Sequence, residues 1–491
     1  MAQSQYLARK SVADILAGGE AGAHQLNKSL GALSITALGI GAIIGAGIFV
    51  LTGTAAARYA GPGVMLSFVL AGLACVFVAL CYAELAALLP VAGSTYTYTY
   101  ATLGELAAWI IGWDLVLEYA VGAATVAVGW SGYFVSLLAQ FGLHVPPEFA
   151  HAPGPVTLPD GQVVEALFNV PAALVVAALT VLLVRGTRES AGVNNFMVAL
   201  KLVVVVAVIA FGWSLIDTQR WQPLVPPNTG EFGHYGWSGV LRGAAVVFFA
   251  FIGFDAVSTA AQEARRPQRD MPIGIIGSLA ICTLLYVLMA AVMTGLVPFA
   301  RLDVPDPVDL VVDVIGKPWL SLLVKFGALA GLTTVALVLL YGQSRIFFTI
   351  ARDGLLPPLF AKVHPRYGTP HLSQITIGLV VALFAGLFPI HLLGEMVSIG
   401  TLFAFVLVCA AVIHLRRSEA NAPRGFRTPA VPIVPVLGIA MCVLLMTGLP
   451  GSTWLRLVGW LAVGLVVYFG YGRHHSTQRA RTALRSGAHT D

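Results

Sequence analysis

The chain has 491 residues, of which 58% are hydrophobic and 10% charged, with a mean hydropathy of +0.84. That balance leaves too little polar surface to cover a globule in water, so it excludes a soluble enzyme and makes the bilayer the solvent. The net charge of +5 comes without any clustered basic surface interleaved with aromatics, which argues against nucleic acid as a partner.

The first thirty residues are fairly polar, with Arg9, Lys10, Asp14, Glu20 and Lys28. They hold no early apolar core and no small-residue cleavage pattern, so residues 1–30 read as a cytoplasmic tail rather than a signal peptide. Spanning a bilayer takes about 20 apolar residues per helix. Twelve such runs follow, near 33–55, 63–89, 105–138, 168–184, 192–215, 238–263, 273–297, 319–344, 373–390, 393–414, 431–449 and 454–471. The fold class expected is therefore an all-α integral membrane protein of about 12 transmembrane helices. Residues 31–215 hold the first five runs, 238–414 the next five, 431–471 the last two, and 472–491 form a second cytoplasmic tail.

The connections refine this layout. Residues 91–99 carry Tyr96 and Tyr98 without Lys or Arg and link runs two and three. Residues 144–165 contain Pro146, Pro147, Pro153, Pro155 and Pro159 and read as an irregular exposed loop. Residues 349–370, with Leu356-Pro357-Pro358, read as a short interfacial helix and loop. Trp109, Trp221 and Trp237 read as belt anchors at the membrane interfaces.

Lys and Arg set the orientation. With the N-terminus inside, Arg185, Arg188, Arg265, Arg266, Arg269, Arg345, Arg352, Lys362, Arg366, Arg416, Arg417, Arg424 and Arg427 all fall on the cytoplasmic side, together with the tail arginines. The opposite loops hold isolated cations such as Arg58, Arg220, Arg301 and Arg456, so both termini are expected inside a cell membrane. Cys75, Cys81, Cys282, Cys409 and Cys442 all sit within spans, which argues against a disulfide framework. No Cys-x-x-Cys, His-Glu-x-x-His or phosphate-cradling Gly-Lys-Ser motif occurs, so no metal or cofactor is expected, and no ATP hydrolysis by this chain alone.

Two runs break at matching points in the two halves. The first contains Gly39-Ile40-Gly41-Ala42-Ile43-Ile44-Gly45-Ala46-Gly47-Ile48-Phe49, and the second Phe248-Phe249-Ala250-Phe251-Ile252-Gly253-Phe254-Asp255. Glycine is a poor helix former that unwinds at little steric cost. Unpaired N–H and C=O groups are tolerated at membrane depth only where something polar satisfies them. Interrupted segments at corresponding places in two halves therefore point to a transporter's substrate site.

These residues carry a resemblance. Ile40 through Val50, Phe251-Ile252-Gly253-Phe254-Asp255-Ala256-Val257-Ser258-Thr259 and Glu263-Ala264-Arg265-Arg266-Pro267 closely resemble the amino acid, polyamine and organocation (APC) superfamily of transporters. Arg188-Glu189-Ser190-Ala191-Gly192-Val193-Asn194-Asn195 and Tyr341-Gly342-Gln343-Ser344-Arg345 are similar to its cationic amino acid transporter branch, and the match runs from about residue 26 to 471. The resemblance implies a five-plus-five inverted repeat of the LeuT type, runs one to five against six to ten, with broken helices 1 and 6 around the substrate. It implies a permease, not an enzyme. The expected function is secondary active uptake of an α-amino acid by alternating access, coupled to H+. An obligate exchanger, or a non-transporting amino acid sensor on the same fold, is the alternative. Whether a small membrane subunit joins it is left open.

Physics places the ligand in the same spot. Half-helix N-termini carry roughly half a positive charge and free N–H groups, which attract a carboxylate, while exposed carbonyls receive an ammonium. Gly45, Ala46 and Gly47 are thus expected to donate to the substrate carboxylate, and Phe249, Ala250 and Ile252 to accept its amine and wall its side chain, with Ile43 completing an apolar rim. Thr333 and Thr334 are the polar groups that run eight offers; these walls favour small or neutral side chains, whereas the branch resembled suggests cationic ones. Lys201 lies thirteen residues after Arg188 and twelve before Trp213. That is about 18–20 Å from either end, too deep for its amine to snorkel out. Burial disfavours the charged amine, so Lys201 is the expected proton-coupling group. In similar family members a lysine on this helix reaches the broken part of helix one. Glu118 and Asp255 are candidates for the surrounding polar network, Asp255 as a cap on a half-helix, and Glu84 belongs to a network near the inner end of run two.

Overall fold

The computed structural model describes residues 30–88, 94–157, 162–186, 191–255, 257–258, 264–418 and 424–479. Most of both expected tails lies outside these residues, as do Arg188-Glu189-Ser190, Thr259 and Glu263. Helix α1 (Ala32–Ile43) stops, and the chain resumes as α2, in which π turns at Gly47–Leu51 and Ala56–Ala60 flank Thr52–Ala55. The tight turn Gly61–Gly63 leads into α3 (Val64–Leu88), followed by the short α4 (Ser94–Thr102) and the long α5 (Glu105–Gln140). Then come α6 (Val170–Arg185), α7 (Ala191–Trp213), α8 (Gly236–Val247), α9 (Pro267–Leu296), α10 (Pro307–Ile315), α11 (Pro318–Arg352), α12 (His371–Leu387), α13 (Ile390–Ser418), α14 (Ile433–Thr447) and α15 (Gly451–Val467). Prolines begin α6, α9, α10 and α11, where a missing N–H costs nothing. Asn169 caps α6 by accepting the Ala172 N–H at 3.1 Å.

Among the described residues seven helical stretches are long and apolar enough to cross a membrane, and five shorter apolar helices accompany them. The apolar residues divide by face. Ile40, Phe68, Leu115, Met289 and Leu332 are buried in a common core, whereas Leu174, Val203, Leu284, Leu379 and Val466 are each more than half exposed. Apolar surface on that scale is stable only against lipid. Helix α9 packs on α1 and α3, and α5 packs on α11 and α13, so two long helices brace the broken segments from either side.

Several charged side chains near helix ends are paired. Glu84, fully buried, accepts Arg416 Nε at 2.8 Å, Arg416 Nη2 at 2.9 Å and the Thr428 N–H at 2.8 Å, and pairs with Arg424 at 3.1 Å. The network expected for Glu84 thus ties α3 to α13. Glu105 is held by Tyr100, Tyr468, Ser476 and Arg479. Lys325 meets Asp309 at 3.0 Å. Removing one partner of such a buried pair costs about 3–5 kcal/mol, because it strands the other charge.

Three expectations change. The loop at 144–165 is not wholly irregular: Gly154–Thr157 and Val163–Ala166 pair as an antiparallel hairpin, β1 and β2, with Val156 opposite Val164. The β-branched valines pair across the strands, and Pro155 fits because a two-stranded ribbon consists of edges only. Trp109 is no belt anchor: it is 1% exposed, stacks on Trp113 and donates to the Gly464 carbonyl at 2.8 Å. Burying its ring against a second helix satisfies the indole N–H as well as an interface would. Trp237 is 73% exposed. In 349–370 α11 runs on to Arg352, and Pro357-Pro358 leads only into the single turn Pro358–Ala361. The five cysteines are buried and free.

Candidate functional site

The break in the first helix spans Ile44 to Ala46. Ile44 turns extended, with φ −72° and ψ 105°, and its N–H closes α1 on the Ile40 carbonyl at 2.9 Å. The three following carbonyls of α1 lose helical partners there, and tertiary groups take them over. Lys201 Nζ of α7 donates to Gly41 O at 2.9 Å, and the Tyr286 hydroxyl of α9 donates to Ile43 O at 2.8 Å. Ala42 O faces Gly253 of the second break, where a Cβ would lie 2.7 Å away. On the far side of the break the helix restarts at Gly47, and the Phe49 N–H reaches back to Gly45 O at 3.3 Å. The Thr52 hydroxyl donates to Gly47 O at 3.0 Å and the Tyr133 hydroxyl to Phe49 O at 2.8 Å, fixing that half from behind.

The second break follows α8, whose end tightens into the 3₁₀ turn Phe248–Phe251 before Ile252 goes extended and Gly253 takes φ +117°. Only glycine adopts that conformation without strain. Asp255 accepts the Gly253 N–H at 3.1 Å, so its carboxylate orders the unwound linker itself. The two breaks touch: a Cβ on Gly47 would lie 2.2 Å from the Ala250 Cβ. Tyr286, at 2.8 Å from both Ile43 O and Ala250 O, bridges them with one hydroxyl.

The expected substrate residues are therefore gathered in one place. Gly45, Ala46, Gly47, Phe249 and Ala250 are buried, as is Ile43, and Ile252 is half-buried. Ala250 O is already engaged by Tyr286, which leaves one lone pair on that carbonyl for a ligand. The surrounding wall comes from Val335 of α11, beside Gly45, and from Gly129 of α5, beside Ala46. Thr333 donates to the Leu329 carbonyl at 2.7 Å and Thr334 to the Gly331 carbonyl at 2.8 Å. Both hydroxyl hydrogens are spent on their own helix, and the wall stays apolar in character.

Lys201 is 1% exposed, and its stem lies along Gly331 of α11, where a Cβ would come 3.0 Å from the lysine Cε. Among the described residues no carboxylate pairs with it, and its amine donates to Gly41 O. Glu118 is buried within α5, with Oε1 lacking a hydrogen-bond partner, and both oxygens of Asp114, four residues earlier, lack one too. These carboxyls form a separate polar layer against α13, where Gly400 leaves room for Asp114. Sequence reasoning missed Tyr286 and Gly331. A tyrosine and a glycine inside apolar runs carry no local sign of the neighbours they will meet.

Comparison with known proteins fits this geometry. The amino acid permease family matches residues 30–478. The branched-chain amino acid permease BcaP of Bacillus subtilis (strain 168) is 49% identical over 469 residues, covering 95% of this chain and 98% of that protein. The methylthioribose transporter of the same organism is 46% identical, covering 92% and 95%. Cationic amino acid transporter 9, chloroplastic, of Arabidopsis thaliana is 37% identical, covering 92% and 89%. With one family spanning nearly the whole chain, and with paired broken helices at its centre, the chain belongs to the amino acid permeases of the APC superfamily.

Proposed function

We propose that this permease is a proton-coupled carrier that takes up neutral α-amino acids with apolar, chiefly branched-chain, side chains by alternating access. The observation that carries the reading is the meeting of the two breaks. The Gly45-Ala46-Gly47 break meets the Phe249-Ala250 turn where Gly47 lies against Ala250, with Phe249 O held by the Ile252 N–H at 3.2 Å and Ala250 O by the Tyr286 hydroxyl at 2.8 Å, each keeping a lone pair for a ligand. A zwitterion supplies the carboxylate and ammonium that those groups lack, so the backbone reads the α-amino acid head. Ile43, Phe249 and Val335 give the break apolar walls, which supports a neutral substrate over a cationic one. The similarity to the branched-chain amino acid permease BcaP supports that preference.

In this reading the chain crosses the membrane twelve times as a five-plus-five inverted repeat with both termini cytoplasmic, which is the arrangement the Lys and Arg distribution supports. The end of the bundle carrying Leu30 and Arg479 is then inner, and the end carrying Arg58, Arg242 and Arg456 outer. Lys201 holds the coupling proton. Its hydrogen bond to Gly41 O ties protonation to the end of α1, so loss of the proton removes the charge assistance from that bond and weakens the hold on a carbonyl beside the substrate break. Rocking around the break is biased by whatever protonation contributes differently to the inward and outward states.

The test is transport in proteoliposomes. Counterflow of labelled L-leucine identifies a carrier rather than a sensor. Uptake into amino-acid-free vesicles driven by an imposed proton gradient identifies coupling rather than obligate exchange. Methylthioribose and L-lysine belong in the competition panel, and preferential inhibition by either would overturn the substrate assignment.

A further inference from the structure

Helix α7 is pinned on both sides of Lys201. A Cβ on Gly41 would run into Val198 Cγ2, three residues before the lysine, and a Cβ on Gly327 into Val204 Cγ2, three residues after it. These contacts seat α7 against α1 and α11, and close packing leaves its backbone little room to shift. Between them the lysine stem lies over Gly331, where a Cβ would come 3.0 Å from Cε, 3.2 Å from Cγ and 3.4 Å from Cδ. A methyl group there would crowd three successive stem carbons at once, so swinging the tip aside gives no relief and the whole side chain must move. Gly331 stands inside the 35-residue helix α11, where glycine is unfavourable. Its backbone is not in the left-handed region that would call for one. Its carbonyl accepts from Thr334 at 2.8 Å, and the lysine amine goes instead to Gly41 O at 2.9 Å. What Gly331 gives the lysine is therefore space.

We propose that Gly331 is a positioning residue for proton coupling: its missing side chain lets the Lys201 stem run along α11 to the end of α1 and aims the amine at Gly41 O. The inference rests on the reading of Lys201 as the proton carrier. A side chain at 331 displaces the stem by a few tenths of an ångström, and a charge-assisted hydrogen bond weakens as its donor leaves the acceptor. The neighbouring elements offer the amine no replacement anion. Helix α1 holds no titratable side chain, and neither does the stretch 327–335 of α11. Cys282 is the titratable group facing the lysine from α9. Helix α10 meets α7 through Ile315 at Gly212, eleven residues beyond Lys201, and its Asp309 is paired with Lys325 at 3.0 Å.

The experiment compares Gly331→Ala with Gly327→Ala in proteoliposomes, following gradient-driven L-leucine uptake over a range of pH at a constant pH difference. Gly331→Ala is expected to move the pH of half-maximal uptake toward acid by about 0.5–1 unit, because a weaker hold on the protonated amine makes protonation harder. Its counterflow at the acid end should stay within about threefold of wild type. Gly327→Ala strains the same helix pair at Val204 without touching the lysine, and should leave the midpoint in place. Thermal unfolding measures the contact itself. Gly331→Ala should lower the transition, and in a Lys201→Ala background, where the stem is gone, the same substitution should lower it no further. If Gly331→Ala alone does not fold, adding Lys201→Ala should restore a folded protein, and lack of rescue overturns the inference. It is also overturned if the Gly331→Ala midpoint matches wild type, if Gly327→Ala moves it as far, or if Gly331→Ala destabilises equally with and without the lysine. Failure of the coupling reading looks different: Lys201→Ala itself keeps the wild-type pH profile, while the thermal effect of Gly331→Ala still vanishes with the lysine.

Discussion

A single methyl group at Gly47 tests whether contact between the two breaks sets substrate binding. A Cβ there would lie 2.2 Å from the Ala250 Cβ and 2.3 Å from the Ala250 Cα. Carbons in good contact sit roughly 3.5–4.0 Å apart, so relief requires the two segments to separate by about 1.3 Å or more. The Ala250 Cα is backbone and cannot swing aside as a side-chain tip would. Overpacking of this kind costs about 1–3 kcal/mol. If the separation falls on the donors and carbonyls that grip the ligand, affinity for L-leucine should drop about 5- to 150-fold. Gly45→Ala is the internal control. Its Cβ would meet only Val335 Cγ2 at 3.2 Å, a side chain able to yield by a few tenths of an ångström. Its affinity should stay within about threefold of wild type. Equilibrium binding of tritiated L-leucine to the purified proteins, with thermal unfolding measured alongside, reads both. Wild-type affinity in Gly47→Ala, or an equal loss in Gly45→Ala, would refute the idea that the touching breaks form the site.

Three further perturbations probe the same centre. Lys201→Ala should lose concentrative, gradient-driven uptake while retaining part of its counterflow, since the backbone contacts to the substrate do not need the amine; undiminished accumulation removes Lys201 from coupling, and a parallel collapse of uptake, counterflow and thermal stability makes it a brace between α7 and α1. Tyr286→Phe strands two buried carbonyls, Ile43 O and Ala250 O, and should cost about 1–3 kcal/mol, read as a lowered thermal transition that added L-leucine partly restores; an unchanged transition denies the bridge. Phe249→Ala removes a large apolar surface from the site and should weaken L-leucine binding while broadening the range of accepted side chains, and an unchanged ranking in competition assays would place the ring elsewhere.

The sequence by itself determined the solvent, the helical class and the location of the breaks, because each follows from local chemistry. A composition of 58% hydrophobic residues admits a membrane fold, and the interruptions at Gly45-Ala46-Gly47 and Ile252-Gly253 stand where helix propensity fails. Lys201 was legible for the same reason, a lone cation deep inside an apolar run. Which groups satisfy the opened backbone was decided only in three dimensions. Tyr286 is far in the chain from both carbonyls it bridges, and Gly331 matters only because the Lys201 stem lies across it. Trp109 misled because a tryptophan near a helix end reads as an interface anchor until a second helix covers it. The pairing of Arg242 with Glu395 depends on how α8 and α13 converge. Periodicity and propensity are properties of neighbours along the chain, whereas hydrogen-bond partners and cavities are properties of neighbours in space, and only packing makes those two sets meet.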